Sequence, residues 1–360
     1  DDNGTPGNLS DDVDVGSWGP LAPGASSPEI KKSFAVTGTR TNIATATGTF
    51  TDKAASQGTA TATATVVGVN CSMSCDKTAD KTDVCKNQNT PVTYTYTVKN
   101  TGDYFWLSGI IVDDNGGGTP FTLSYGPLAP GASATLSQPN VPVNDNRTNI
   151  VTVSGKTGPE NVTSLQPCTK SWTVVAHTCE ITCEKTPDRT SVCENGGETV
   201  KYTYTVTNVG DIPATIDSFG DDKLSSCSIA TLPVTLNPGK SITGNCRAVV
   251  NTTITNTATV SASWLNKLTT KSCSKSATVT AYPCGVSLVK HPDPKEVPAG
   301  TATPVTFTYD VKNTGTYFDL KDVTVVDDNG TPGNTSDDFV ACTIPGPIPS
   351  PHSSILVTTS

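Results

Sequence analysis

Two nearly identical acidic stretches, DDNGTPGNLSDD at residues 1–12 and DDNGTPGNTSDD at 327–338, carry the clearest metal-ligating chemistry in this chain. The first offers Asp1, Asn3, Asp11 and Asp12; the second offers Asp327, Asn329, Asp337 and Asp338. Calcium takes about six to eight oxygen ligands, so each loop could hold one Ca2+ ion. Pro332 stands where an EF-hand loop has its glycine, so this is a different motif. The competing reading is a solvated turn, rich in Asp, Asn and Gly because these tolerate left-handed backbone. No other cofactor is required.

The cysteines come next. Twelve of them beside only three histidines favour an oxidising, extracellular compartment. Cys75 and Cys85 are ten apart, as are Cys183 and Cys193, and the aligned Leu288 and Pro298 are both non-cysteine. This predicts Cys75–Cys85 and Cys183–Cys193. A strand separates Cys168 from Cys179 and Cys273 from Cys284. At ~3.3 Å per residue it holds each pair far beyond the ~7 Å between Cα atoms that a disulfide allows. If first and last strands run parallel side by side, Cys71 meets Cys168 and Cys179 meets Cys273. Cys227 and Cys246 then pair across a Pro-Gly loop. Cys284 and Cys342 are left over and should find partners outside this stretch. A zinc site at Cys71 and Cys75 has neither ribbon spacing nor a nearby histidine.

Hydrolytic chemistry finds little support. His177, His291 and His352 occupy unrelated positions, and none sits in a nucleophile motif. The glycine-rich DDNGGGTP at 113–120 lacks the lysine of a phosphate-cradling loop. A net charge of −9 excludes a nucleic-acid partner, because no basic patch could displace phosphate counterions. No apolar run is long enough to span a membrane in this segment. Sequons at Asn3, Asn8, Asn146, Asn161, Asn251, Asn329 and Asn334 allow glycan decoration.

The elements that position these residues repeat. PVTYTYTVKNTG (91–102), TVKYTYTVTNVG (199–210) and PVTFTYDVKNTG (304–315) alternate apolar and polar residues, then break at Asn-x-Gly. That is a strand with one buried face and a turn. An acidic turn follows at Asp1-Asp2, Asp113-Asp114, Asp221-Asp222 and Asp327-Asp328, in steps of 112, 108 and 106 residues. Then come LAPGAS or LNPGKS, a strand such as TNIVTVSG (148–155), and a closing strand. Short strands with turns at regular spacing predict an all-β fold of tandem immunoglobulin-like β-sandwiches. Residues 69–177 and 178–282 read as complete repeats. Residues 1–68 read as the C-terminal part of one, and 283–360 as the N-terminal part of another. A half sandwich exposes its inner face and unpaired edges. Each half therefore needs completion, head to tail, by copies of this chain or by adjacent repeats.

The order of these motifs resembles the prokaryotic repeat family called domain of unknown function 11. The resemblance implies Ig-like modules strung in large secreted or cell-surface proteins, and no catalytic residues. Lys77, Lys185 and Lys290 align, as do Asn42, Asn149 and Asn256. Some Gram-positive pilin and adhesin sandwiches join such a Lys and Asn by an isopeptide bond, which would make Lys77–Asn149 and Lys185–Asn256 the pairs here. The chemistry needs a buried carboxylic acid beside each pair. Asp76 and Glu184 are the neighbouring acids, but the third copy has Val289. The expected function is a non-enzymatic structural segment of an extracellular filament or stalk. The alternative is a cell-surface adhesin that binds carbohydrate or protein through loops such as 101–110, where Tyr104, Phe105 and Trp106 could stack on a sugar.

Overall fold

Threonine alternating with valine, alanine or tyrosine favours pleated backbone with one apolar face, and strands dominate the molecule. The computed structural model describes residues 1–114 and 121–359. The glycine-rich part of 113–120, weighed above as a phosphate loop, lies outside the described residues from 115 onward. Among the described residues the one helical element is a 3-10 turn at Pro159–Asn161. The fold is all-β. It divides into two compact units, Asp1–Thr82 with Asn89–Val175, and Asp83–Gln88 with Ala176–Ser360.

The first unit opens with a hairpin, β1 (Arg40–Thr49) and β2 (Gln57–Val66), paired from Arg40 opposite Val66 to Thr49 opposite Gln57. Residues 13–39 before it form no strand. A sandwich follows: β3 (Met73–Ala79), β4 (Asp83–Cys85), β5 (Thr90–Asn100), β6 (Ser108–Asp114), β7 (Phe121–Tyr125), β8 (Ser133–Val143), β9 (Arg147–Thr157), β10 (Thr163–Ser164) and β11 (Cys168–His177). One sheet is β3-β5-β8; the other runs β11-β9-β6-β7, with β10 on β9. The short β4 counts with the second unit, where the Lys86 N–H donates to the His177 carbonyl at 2.8 Å.

The second unit repeats the plan with β12 (Ile181–Pro187), β13 (Ser191–Cys193), β14 (Glu198–Asn208), β15 (Ala214–Asp221), β16 (Val234–Leu236), β17 (Ser241–Val250), β18 (Ile254–Trp264) and β19 (Thr269–Tyr282). Its sheets are β12-β14-β17 and β13-β19-β18-β15-β16. The expected period of two holds in the central strands. Val92, Tyr94, Tyr96 and Val98 are all fully buried, as are Val200, Tyr202, Tyr204 and Val206. Burying a side chain of this size contributes roughly 1.5–3 kcal/mol.

Five further strands end the unit: β20 (Val286–Asp293), β21 (Thr306–Asn313), β22 (Val323–Asp327), β23 (Phe339–Ile344) and β24 (Ser354–Thr359). They form β20-β21-β24 and β22-β23. These match β12-β14-β17 and β15-β16. Counterparts of β18 and β19 are missing among the described residues of this segment. The β1–β2 hairpin has their form. Ala46 faces Ala60 in it, just as Val260 faces Cys273 in β18–β19 and Val153 faces Cys168 in β9–β11.

The disulfides correct the pairing read from spacing. The bonds are Cys75–Cys168, Cys85–Cys179, Cys183–Cys273, Cys193–Cys284 and Cys227–Cys246, with Cα separations of 5.5–5.9 Å. Of the expected pairs only Cys227–Cys246 forms. Cys75–Cys85 and Cys183–Cys193 fail because the chain changes sheet between those cysteines: β12 lies in one sheet and β13 in the other. The strand that runs parallel beside the last one is the short β13, with Cys193 opposite Tyr282, while the first strand β12 pairs antiparallel with β14 in the other sheet and is tied to β19 by Cys183–Cys273. Cys71–Cys168 and Cys179–Cys273 are thereby replaced. Cys284 finds its partner within the chain, while Cys71 and Cys342 are free. Four of the bonds close loops of 90–94 residues, each stabilising by about 4.5 kcal/mol on chain-entropy grounds.

Candidate functional site

A strand that must bury one face normally fills it with apolar side chains. Each complete sandwich instead buries a lysine, an aspartate and an asparagine. Lys77 stands on β3 opposite Tyr96. Its alternation with Cys75 turns it inward, where it is 2% exposed. Asp114, the last residue of β6, and Asn149, on β9, are both fully buried. β6 pairs with β9 so that Asp114 faces Val151, two residues along the same face from Asn149. Lysine therefore comes from one sheet, and the acid and amide from the other.

The Lys77 ammonium donates a very short hydrogen bond to Asp114 Oδ2, with both side chains inaccessible to solvent. Its nitrogen lies 4.9 Å from the Tyr94 ring centre and 5.2 Å from that of Tyr96, close enough for cation–π attraction. Burial pushes the lysine pKa down, against the opposing pull of Asp114. Neither amide atom of Asn149 has a hydrogen-bond partner. Leaving such a group unsatisfied costs about 1–3 kcal/mol.

The second sandwich reproduces the cluster. Lys185, 3% exposed, donates to Asp221 Oδ2 at 2.6 Å. The Tyr204 hydroxyl donates to the same oxygen at 3.0 Å. Asn256, fully buried on β18, donates through Nδ2 to Oδ1 and Oδ2 of Asp221 at 3.3 and 3.5 Å, and its own Oδ1 has no partner. Burial pushes the Lys185 pKa down too. For Asp221 burial acts upward, but hydrogen bonds from Lys185, the Lys223 N–H and Tyr204 outweigh it and hold the carboxyl below its usual value.

In the five-strand segment the lysine and acid recur. Lys290 and Tyr309 both donate short hydrogen bonds to Asp327 Oδ2, and the Lys290 nitrogen sits 4.3 Å from the Phe307 ring centre. These hydrogen bonds, Lys290 first, hold Asp327 below the usual carboxylate range. Lys290 is 37% exposed on this unfinished face. The matching amide, Asn42, is on β1. Its neighbour Ile43 exchanges hydrogen bonds with Asp2 at 2.8 and 2.9 Å, as Thr257 beside Asn256 does with Asp222 at 2.6 and 3.1 Å.

The structure therefore gathers Lys77 with Asn149 and Lys185 with Asn256, but around acids that the sequence reading missed. Asp76 accepts the Lys77 backbone N–H and is exposed, and Glu184 is exposed likewise. Neighbours along a strand point to opposite faces, so neither could join its lysine. That alternation was the signal available in the sequence.

The calcium set is not assembled. Among the described residues no three acidic side chains converge. Asp327 is committed to Lys290 and Tyr309. Asp1 Oδ1 accepts the Asn3 N–H, and Asp327 Oδ1 that of Asn329. Asp11 and Asp337 accept the hydroxyls of Thr5 and Thr331 at 2.7 and 2.6 Å, while Asp12 and Asp338 are exposed. Short side-chain hydrogen bonds within each turn tie these residues to their own loop. His177 bridges Asp83 at 2.9 Å and Asp211 at 3.4 Å beside a cleft of about 590 Å³.

Fold and disulfides define a class: a disulfide-bonded, all-β chain of immunoglobulin-like sandwiches. No family model and no curated protein matches the sequence. Solved structures with partial likeness include elastase-activated Escherichia coli alpha-2-macroglobulin, at 12% identity and TM-score 0.23, over 66% of this chain and 27% of that one. A protein of unknown function from Porphyromonas gingivalis W83 aligns at 15% identity and TM-score 0.17, over 52% of this chain and 92% of that one. A structure titled as the chaperone–tip adhesin complex of CFA/I fimbriae biogenesis aligns at 11% identity and TM-score 0.17, over 54% and 97%. The chain thus spans about a quarter of the alpha-2-macroglobulin it matches.

Proposed function

We propose that this chain is a non-enzymatic structural segment of an extracellular fibre or cell-surface stalk, built from Ig-like modules of the domain of unknown function 11 kind and completed head to tail. One observation carries the reading: β20–β24 lack two strands of a complete sandwich, and β1–β2 are a hairpin of that form. Added to β22, β1 would set Ala44 opposite Asp327, as Val151 faces Asp114 and Ala258 faces Asp221. Main-chain pairing of this kind covers an open edge, while alternate side chains fill the core. Leu288, paired with the buried Val311 at the inward position that Cys75 and Cys183 hold in the complete sandwiches, is 51% exposed in the unfinished segment. Substitutions on the two sides agree. The cysteine pair of the complete sandwiches is replaced by Leu288 on one piece and Ala60 on the other. The hairpin is supplied by another copy or by an adjacent repeat of the same chain.

Electron microscopy of the assembled material, with denaturing electrophoresis after reduction, tests this. Fibres that give a band near 37.2 kDa are built of separate subunits, and a very large band means one continuous chain. Dispersed short rods without fibres refute the proposal. A second reading, the adhesin, rests on Tyr104 and Trp106, which are 66% and 54% exposed in one loop. Glycan binding that Trp106→Ala abolishes would select it.

A further inference from the structure

We propose that Lys77 and Asn149, and likewise Lys185 and Asn256, are substrates of a self-catalysed condensation that ties the two sheets of each sandwich together through an isopeptide bond. Asp114 and Asp221 are the acid–base groups. Four observations converge. Both lysines and both carboxylates are shielded from solvent in paired geometry. Both asparagines are fully buried, and Asn149 has no hydrogen-bond partner, so packing alone gives its amide no reason to be there. In the second sandwich Lys185 Nζ and Asn256 Nδ2 share one acceptor, Asp221 Oδ2, which brings nucleophile and leaving group to the same proton carrier. Apolar and aromatic walls exclude the water that would hydrolyse an activated amide.

The step balances without a co-reactant. The ammonium gives one proton to the aspartate and becomes a neutral amine. Its nitrogen lone pair attacks Cγ of the asparagine, and the Nζ–Cγ bond forms. The aspartic acid returns that proton to Nδ2, and the regenerated aspartate takes the second proton from the now positively charged Nζ and passes it to the departing nitrogen, so that the Cγ–Nδ2 bond breaks, Nζ keeps one hydrogen as a neutral amide and ammonium leaves. No group is oxidised or reduced. The aspartate that carries the protons is catalytic in the strict sense, since it touches the reacting atoms and is regenerated, whereas the lysine is consumed as a substrate. The product links β3 to β9 and β12 to β18, strands of opposite sheets. Lys290 and Asp327 await the same partner. Resting on the fibre reading, Asn42 of the completing hairpin would supply it and make the joint between modules covalent.

The experiment is an intact mass of the full chain, deglycosylated, reduced and denatured, followed by protease mapping. The expected mass is below the sequence mass by two ammonia molecules. The maps should show branched peptides joining Lys77 to Asn149 and Lys185 to Asn256. Asp114→Ala should restore one ammonia and return Lys77 and Asn149 to separate linear peptides. A chain at full sequence mass, with all four residues in linear peptides, overturns the proposal, whatever the folding of the variant. A Lys290–Asn42 branched peptide from fibres tests the joint separately: its absence beside intact internal links would refute only that extension.

Discussion

Asn208 and Asn256 are both fully buried in one sandwich, yet they live differently. Asn208 ends β14 at the Asn-x-Gly break. Its Nδ2 donates to the carbonyls of Ile212 and Leu236 at 2.9 Å each, and its Oδ1 accepts the Gly210 N–H at 2.9 Å. Asn100 and Asn313 repeat this arrangement with Phe105 and Leu128, and with Phe318 and Ile348. The next residue but one must be glycine, because a Cβ on Gly210 would run into the Thr178 carbonyl. Asn256 has only long bonds to a carboxylate and an unpartnered oxygen. One amide is spent on holding a chain reversal. The other faces a lysine and an acid with its chemistry still available. Burial alone does not separate structural from reactive polar groups; what the group's atoms are bonded to does.

Three changes would break or sharpen that contrast. The largest effect is expected from Lys185→Met, compared with a chain in which no cross-link has formed, because it leaves the Asp221 carboxylate buried without its counter-ion. Thermal unfolding should show a loss of about 4 kcal/mol in the second sandwich, and adding Asp221→Leu should recover most of it. If the double variant is no better than the single one, the buried charge is not the cause. Next is Asn208→Ala, which strands two carbonyls and one N–H and should cost about 3 kcal/mol. Asn256→Ala, measured under conditions where no cross-link has formed, should cost distinctly less; equal losses would erase the contrast. The smallest effect is expected from calcium. Because the acidic turns are closed by their own side chains, millimolar calcium should leave the melting temperature unchanged. A clear rise that chelator reverses would put a cation back in them.

The sequence by itself determined the fold class and the inward faces of the central strands. Period-two alternation in PVTYTYTVKNTG states which side chains are buried, and the Asn-x-Gly break states where the strand stops. It also placed the lysines and asparagines at matching positions. Only the tertiary structure decided which acid meets them. Asp114 is the second of its Asp pair, whereas Asp221 and Asp327 are the first, and motif alignment cannot show this. On β15 the pairing bypasses Asp217 between Ile216 and Ser218, which changes which later residues, Asp221 among them, face inward, whereas β22 alternates unbroken from Val323 through Val325 to Asp327. The cysteines teach the same lesson. Their spacing is one-dimensional, but β12 and β13 belong to different sheets, so close neighbours in sequence end far apart. Bonds then form between residues some 90 positions apart, where two sheets bring their edges within reach.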